Sequence, residues 1–264
     1  MQSNPLVGKV TRESRGSVRL YGLDRVARRN AFDSAMLLDL AQALGEYESD
    51  PDARCAVLFS HGEHFTSGLD LAEMAPRLAE GGLAFPPGSI DPQGVALPRR
   101  RKPLLVAVQG ICWTIGVDIA LAADIVLAAD TARFGCIEVR RGIYPSGGTT
   151  VRLPRAAGWS NAMRYLLTGD EFDANEARRL NLVTEVVPPG ALLERAIAIA
   201  ERVASASPLG VQATLASSHQ ALTAGEEAAL AALWPRLQSL FGTADVAEAL
   251  AAMMQKREPH FRGQ

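Results

Sequence analysis

The chain has 264 residues, with 27 lysines and arginines against 29 aspartates and glutamates. That near-balance argues against a basic surface for nucleic acid and for a small molecule or another protein as partner. The length suits one large core, or one domain with a helical extension, and no apolar run is long enough to span a bilayer, so no membrane insertion is expected. Residues 1–8 carry neither the basic flank nor the cleavage site of a secretory leader. Cys55, Cys112 and Cys136 sit in apolar runs as buried free thiols, so a cytoplasmic, reducing location is expected.

In chain order, 7–12 and 17–23 read as two strands around the polar turn Arg15-Gly16. Asp33 is a good N-cap residue, and Leu37, Leu40, Ala41 and Leu44 recur at helical spacing until Asp50-Pro51-Asp52 ends the element. Residues 55–59 form a buried strand. After a turn over 62–68, residues 69–78 suit a helix, whereas the Gly- and Pro-rich stretch 81–98 is a loop or mobile flap.

A β-branched run at 104–108, a helix over 116–124 and a strand at 125–129 continue a strand, turn, helix order, which argues for an α/β domain. Beyond Trp159 the pattern is helical, broken by a strand at 183–187 and by Pro188-Pro189 and Pro208. Amphipathic helices are expected at 191–206, 209–222, 225–240 and 244–256. The organisation is thus an α/β core over 1–200 followed by a helical region over 201–264.

Two acids stand twenty positions apart: Asp118 in Gly116-Val117-Asp118-Ile119-Ala120 and Glu138 in Phe134-Gly135-Cys136-Ile137-Glu138. Upstream, Phe65-Thr66-Ser67-Gly68-Leu69-Asp70-Leu71 is a tight glycine turn that can aim backbone N–H groups at a developing negative charge. Together these are parts for chemistry on a carbonyl. Taken alone, the turn is a plain strand-to-helix connection in which Asp70 caps the helix.

The order of these segments resembles the crotonase, or enoyl-CoA hydratase/isomerase, superfamily. Its carriers are 28–32, 65–71, Val108-Gln109-Gly110 leading to Gly116-Val117-Asp118, then Phe134-Gly135, Glu138, Gly142, 145–153 and 168–183. The resemblance implies an α/β ClpP/crotonase-like spiral of β-β-α units with a helical C-terminal trimerisation region, assembled as a homotrimer or a hexamer. It implies an acyl-CoA substrate and no separate cofactor, since coenzyme A is part of the substrate. No metal is expected: His61 and His64 lack a further ligand set and read as solvated loop histidines.

By the same resemblance the backbone N–H groups of Leu69 and Ile115 hold the thioester oxygen, although Thr114-Ile115 replaces two glycines common in the family. Glu138 handles the α-carbon proton and Asp118 the water, with Asp where hydratases usually carry Glu. Arg28, Ala31, Ser67, Gly68, Asp70, Leu71, Trp113, Pro145, Ser146, Lys256 and Phe261 are the expected substrate and CoA contacts, Phe261 across a subunit boundary. Hydration of a 2-enoyl-CoA is the first reading. The alternatives are an enoyl- or dienoyl-CoA double-bond isomerase, certain dienoyl-CoA isomerases of the family carrying a further acid at the position of Ser146, and a CoA-binding homologue with weakened catalysis. A serine hydrolase built on Ser146 lacks a nucleophile elbow and a Ser/His/Asp arrangement. The basic run 99–102 reads as a solvated boundary, or else as a phosphate contact.

Overall fold

The computed structural model describes residues 6–264. It opens with an antiparallel hairpin of β1 (Lys9–Arg15) and β2 (Val18–Asp24), whose register closes at Arg15 opposite Val18. The expected first strand runs three residues further than its apolar part suggests, because the connection needs only Gly16 and Ser17, with Gly16 at φ 56°. Asp33 caps α1 (Ser34–Ser49), its side chain accepting from the Met36 N–H at 2.8 Å.

Next come β3 (Cys55–Ser60), α2 (Leu71–Ala79), β4 (Leu104–Val108), β5 (Ile111–Trp113), α3 (Ile115–Ala122), β6 (Ile125–Ala129) and β7 (Arg133–Gly135). Then α4 (Thr149–Ala157), α5 (Trp159–Thr168), β8 (Glu171–Asp173), α6 (Ala174–Arg179) and β9 (Glu185–Val187) lead to four helices, α7 (Leu192–Ser205), α8 (Pro208–Ala224), α9 (Glu226–Phe241) and α10 (Ala244–Gln255).

The main sheet has strand order β1-β2-β3-β4-β6-β9 and is parallel from β2 onward. Strand alternation divides its side chains between two layers. Cys55, Val57, Leu105, Ala107 and Leu127 face α7, which covers them with Leu192, Ala196, Ile197 and Ala200. Ala56, Leu58, Leu104, Val106 and Val108 face the larger core, where α1 contributes Met36, Leu37, Leu40 and Leu44. Tyr47 at the end of α1 donates to the Pro103 carbonyl at 2.6 Å.

A second sheet, β5-β7-β8, has no counterpart in the sequence reading. Its strands are three residues each, too short for period-two alternation to register. Helix α4, which carries Pro154 within it and buries only Thr149 and Leu153, also escaped pattern reading. The basic run is a solvated boundary only in part: Arg99 and Arg101 are exposed, the latter paired with Glu48 at 2.7 Å, whereas Arg100 pairs with Asp124 at 2.6 Å and the buried Lys102 donates to the Tyr47 carbonyl at 3.0 Å.

Candidate active site

The small sheet positions the site. The Thr66 N–H donates to the Ile111 carbonyl (2.9 Å) and the Trp113 N–H to the Thr66 carbonyl (3.0 Å). The Thr114 N–H in turn donates to the Gly135 carbonyl at 2.9 Å. The segment 65–69, β5 and β7 therefore run side by side, and their ends deliver Leu69, Ile115 and Glu138 to one place. All three line a cleft of about 370 Å³ together with Asp118, Leu71 and Ser146.

Phe32 fixes the first donor. Its N–H donates to the Gly68 carbonyl and its own carbonyl accepts from the Asp70 N–H, both at 2.8 Å. The groups on either side of Leu69 are thereby engaged, while the Leu69 N–H makes no hydrogen bond among the described residues. The Ile115 N–H is the first of α3 and is likewise unengaged, as the opening turn of a helix requires. Two unengaged backbone donors on one cleft are the parts that an oxyanion hole requires.

Thr114, where the resemblance leads one to expect glycine, keeps a glycine-like backbone at φ 50° and ψ −112°. A β-branched residue at positive φ is strained. Its hydroxyl lies against Gly68, whose φ is 105°, and a methyl built on Gly68 would collide with Thr114 Oγ1. The two turns that carry the Leu69 and Ile115 N–H groups are therefore in direct contact through Gly68 and Thr114.

Helix α3 is buried on every side over 115–120, which explains its lack of an amphipathic stripe. Asp118 is 3% exposed. Its Oδ1 accepts from the Thr149 N–H (3.0 Å) and hydroxyl (2.6 Å), and its Oδ2 from Gln93 Nε2 (3.2 Å). Burial raises its pKa above the ordinary 3.8, against the lowering effect of the Thr149 and Gln93 donors and of Arg152.

Glu138 lies in the 3-10 turn Ile137–Arg141, which Gly142 ends in the left-handed region at φ 76°. Its Oε2 is buried with no hydrogen-bond partner among the described residues. Burial pushes its pKa up to about 7; its own backbone N–H and Arg141 act the other way and the Asp118 charge adds to the rise.

Of the expected substrate and CoA contacts, Leu71 and Ser146 line the cleft, whereas Arg28, Ala31, Ser67 and Pro145 are not among its lining residues. Ser67 lies beside Arg28, its N–H donating to the Arg29 carbonyl at 3.0 Å. Ala31 joins the same turn, its N–H donating to the Arg28 carbonyl at 3.0 Å. Pro145 is buried next to Ser146, which faces the cleft without any histidine among the lining residues.

Others differ. Asp70 does not cap α2; its carboxylate pairs with Arg25 at 2.9 Å. Trp113 is not in the cleft wall: Cys112 takes the core-facing side of β5, so Trp113 points the opposite way, against Gly135. His61 and His64 are partly buried and bonded, to the Thr11 hydroxyl (2.8 Å) and by accepting from the Ile111 N–H (3.3 Å). Lys256 ends α10 and Phe261 offers its carbonyl to Arg54, so within one chain neither reaches the cleft.

The segment 81–98 has no helix or strand, as expected, yet it is pinned at its centre. Asp91 accepts from the N–H groups of Gln93, Val95 and Ala96, and the Ile90 N–H donates to the Ala41 carbonyl at 3.0 Å. Sequence reasoning missed Gln93, Thr149 and Arg152. Arg152 reaches the carbonyls of Gly94 (2.9 Å) and Gly147 (3.2 Å). The one readable signal was Gly147-Gly148: a methyl on Gly147 would overlap both Gln93 and the Asp118 carboxyl.

The sequence profile described as Enoyl-CoA hydratase/isomerase matches residues 13–264. The 2,3-dehydroadipyl-CoA hydratase of Escherichia coli (strain K12) is 37% identical, the match covering 96% of this chain and 98% of the relative. The short-chain-enoyl-CoA hydratase of Clostridium acetobutylicum is 32% identical, over 96% and 97%. A crystal structure of a probable enoyl-CoA hydratase/isomerase from Mycobacterium abscessus superposes with a TM-score of 0.95 at 48% identity, covering 98% of this chain and 100% of that one. Likeness over nearly the full length of both partners, joined to a cleft with two free backbone donors, shows that the chain belongs to the enoyl-CoA hydratase/isomerase family.

Proposed function

We propose that this protein hydrates a 2-enoyl-CoA thioester. One observation carries the reading: Glu138, buried with a free carboxyl oxygen, shares a cleft with Asp118 and with the unengaged N–H groups of Leu69 and Ile115. The relatives above are named as hydratases, which supports water addition over double-bond migration. The resemblance supports coenzyme A as part of the substrate and no further cofactor.

In this mechanism the thioester oxygen accepts from Leu69 and Ile115, which stabilises negative charge as the conjugated bond is attacked. Asp118, held by three donors, takes a proton from water as its oxygen bonds to the β carbon. Glu138, whose pKa near 7 keeps a substantial protonated fraction at neutrality, gives its proton to the α carbon. One water is added in total, and return of the proton from Asp118 to Glu138 resets the site. Leu71, Met74, Leu78, Leu83 and Phe85 give the cleft an apolar wall suited to an acyl chain.

Loss of the conjugated-thioester absorbance of crotonyl-CoA tests the reading. Asp118→Asn and Glu138→Gln should each lower turnover by roughly 10²- to 10⁴-fold with thioester binding retained, and full activity in both variants would refute these roles. Solvent deuterium at the α carbon of a hydrated product separates hydration from migration.

Assembly as a trimer or a dimer of trimers is part of the same proposal. Trp234, Phe241, Met253 and Met254 on α9 and α10 are 64–83% exposed, an apolar surface suited to a second copy. Sedimentation showing a dominant monomer would count against it. The buried free thiols of Cys55, Cys112 and Cys136 support a cytoplasmic, reducing location.

A further inference from the structure

We propose that Gln93 is a positioning residue: from the loop 81–98 it holds the Asp118 carboxylate in its water-activating orientation, making that loop part of the catalytic apparatus. The proposal rests on the hydratase reading of Asp118 given above.

Three independent ties bring Gln93 to its place. Asp91 organises the turn, accepting from the Gln93 N–H at 2.9 Å and from the Val95 and Ala96 N–H groups at 2.8 Å. Arg152 on α4 clamps Gly94 of the loop to Gly147 of the turn before α4. Gly147 lacks a side chain where the Gln93 amide and the Asp118 carboxyl meet, and a methyl there would displace both.

The result is a carboxylate fixed from two sides. Thr149 engages Oδ1 with its N–H and hydroxyl, and among the described residues Gln93 alone engages Oδ2. Without Gln93 the carboxyl can still rotate about the Thr149 contacts, and Oδ2 is the oxygen left to meet water. A side chain one methylene shorter than Glu has less reach to search for the reacting water, so a fixed orientation matters more.

Other groups that act on Asp118 stay unchanged when Gln93 is replaced: Arg152 on α4, Glu138 in the 137–141 turn, and the Cys112 and Cys136 thiols. Asp91 and Arg141 also face the cleft. Loss of the Gln93 donor therefore makes ionisation of Asp118 harder in an otherwise constant field.

The test uses Gln93→Leu, which keeps the volume and removes the donor, alone and combined with Asp118→Asn, with crotonyl-CoA as substrate. Gln93→Leu should lower kcat by about ten-fold or more, as expected for a hydrogen bond to an ionised group. KM should change little, and the acid limb of the kcat profile should move to higher pH. In the Asp118→Asn background the same change should add almost nothing, because the two residues act as one unit. Wild-type kcat with an unmoved acid limb, or losses that multiply in the double variant, would overturn the proposal. Wild-type activity in Asp118→Asn would overturn the role of Asp118 itself, a failure distinguishable from silence of Gln93→Leu alone.

Discussion

Gly68→Ala tests the contact between the two halves of the proposed oxyanion hole. The substitution meets two obstacles, a φ of 105° and the Thr114 hydroxyl lying where the new methyl must go. The backbone obstacle alone costs about 1–3 kcal/mol. The collision can be relieved only by moving Leu69 or by moving Thr114, and Thr114 precedes the Ile115 donor. Either movement misaligns an oxyanion donor, a loss worth about 10²- to 10³-fold in kcat. The expected phenotype is that kcat loss together with a fall in Tm of roughly 2–4 °C per kcal/mol for a chain of this size. Crotonyl-CoA turnover and thermal unfolding measure both. Adding Thr114→Gly removes the hydroxyl but not the backbone strain, so the double variant should recover part of kcat, with a coupling of about 0.5–3 kcal/mol. The reasoning fails if Gly68→Ala behaves as wild type, or if the two losses simply add.

Glu138 should make stability fall as pH rises through the acid range. Its carboxyl goes from an ordinary 4.5 to about 7 on folding, so between those values the folded state holds a proton that the unfolded state has lost. The contribution is fully present below about pH 4.5 and gone above about pH 7, a difference of up to about 3 kcal/mol. Glu138→Gln should therefore be more stable than wild type at pH 8 and no more stable at pH 4; denaturant titrations with equal differences at both would refute this. Arg25→Ala strands Asp33 and Asp70, which Arg25 meets at 3.2 and 2.9 Å. A loss of about 3–5 kcal/mol is expected for a broken buried ion pair, and a urea titration showing under about 1 kcal/mol would contradict it.

What the sequence disclosed depended on how far each signal spreads along the chain. The main sheet was legible because 55–59, 104–108 and 125–129 are continuous apolar runs, the mark of strands covered on both faces. The acids and the glycine turn were legible through their order. Strands β5, β7 and β8 were not, since their pairing comes from backbone contacts among 66, 111–114 and 133–135 rather than from any side-chain period. Arg25 was missed for a related reason: its partners lie 8 and 45 positions away, and only folding brings them together. Gln93 sits in a stretch whose Gly and Pro content reads as loop, and composition carries no information about which loop residue reaches a buried carboxylate.

The two carboxylates show how environment divides labour between similar groups. Asp118 is the more buried by exposure, 3% against 7% for Glu138, and solvent exclusion alone would make it the better proton holder. Hydrogen bonding reverses the order. Asp118 receives three donors that favour its charged form, whereas Glu138 Oε2 receives none. Asp118 is thereby suited to the proposed role of accepting a proton from water, and Glu138, whose Oε2 has no donor among the described residues, to keeping one for the α carbon. The same division accounts for a short aspartate at this position. A carboxylate that must be held by Thr149 and Gln93 gains from lying close to the chain, where neighbouring elements can reach it. Glu138, the proposed proton donor, instead sits at the cleft wall on a 3-10 turn, with the longer side chain of glutamate.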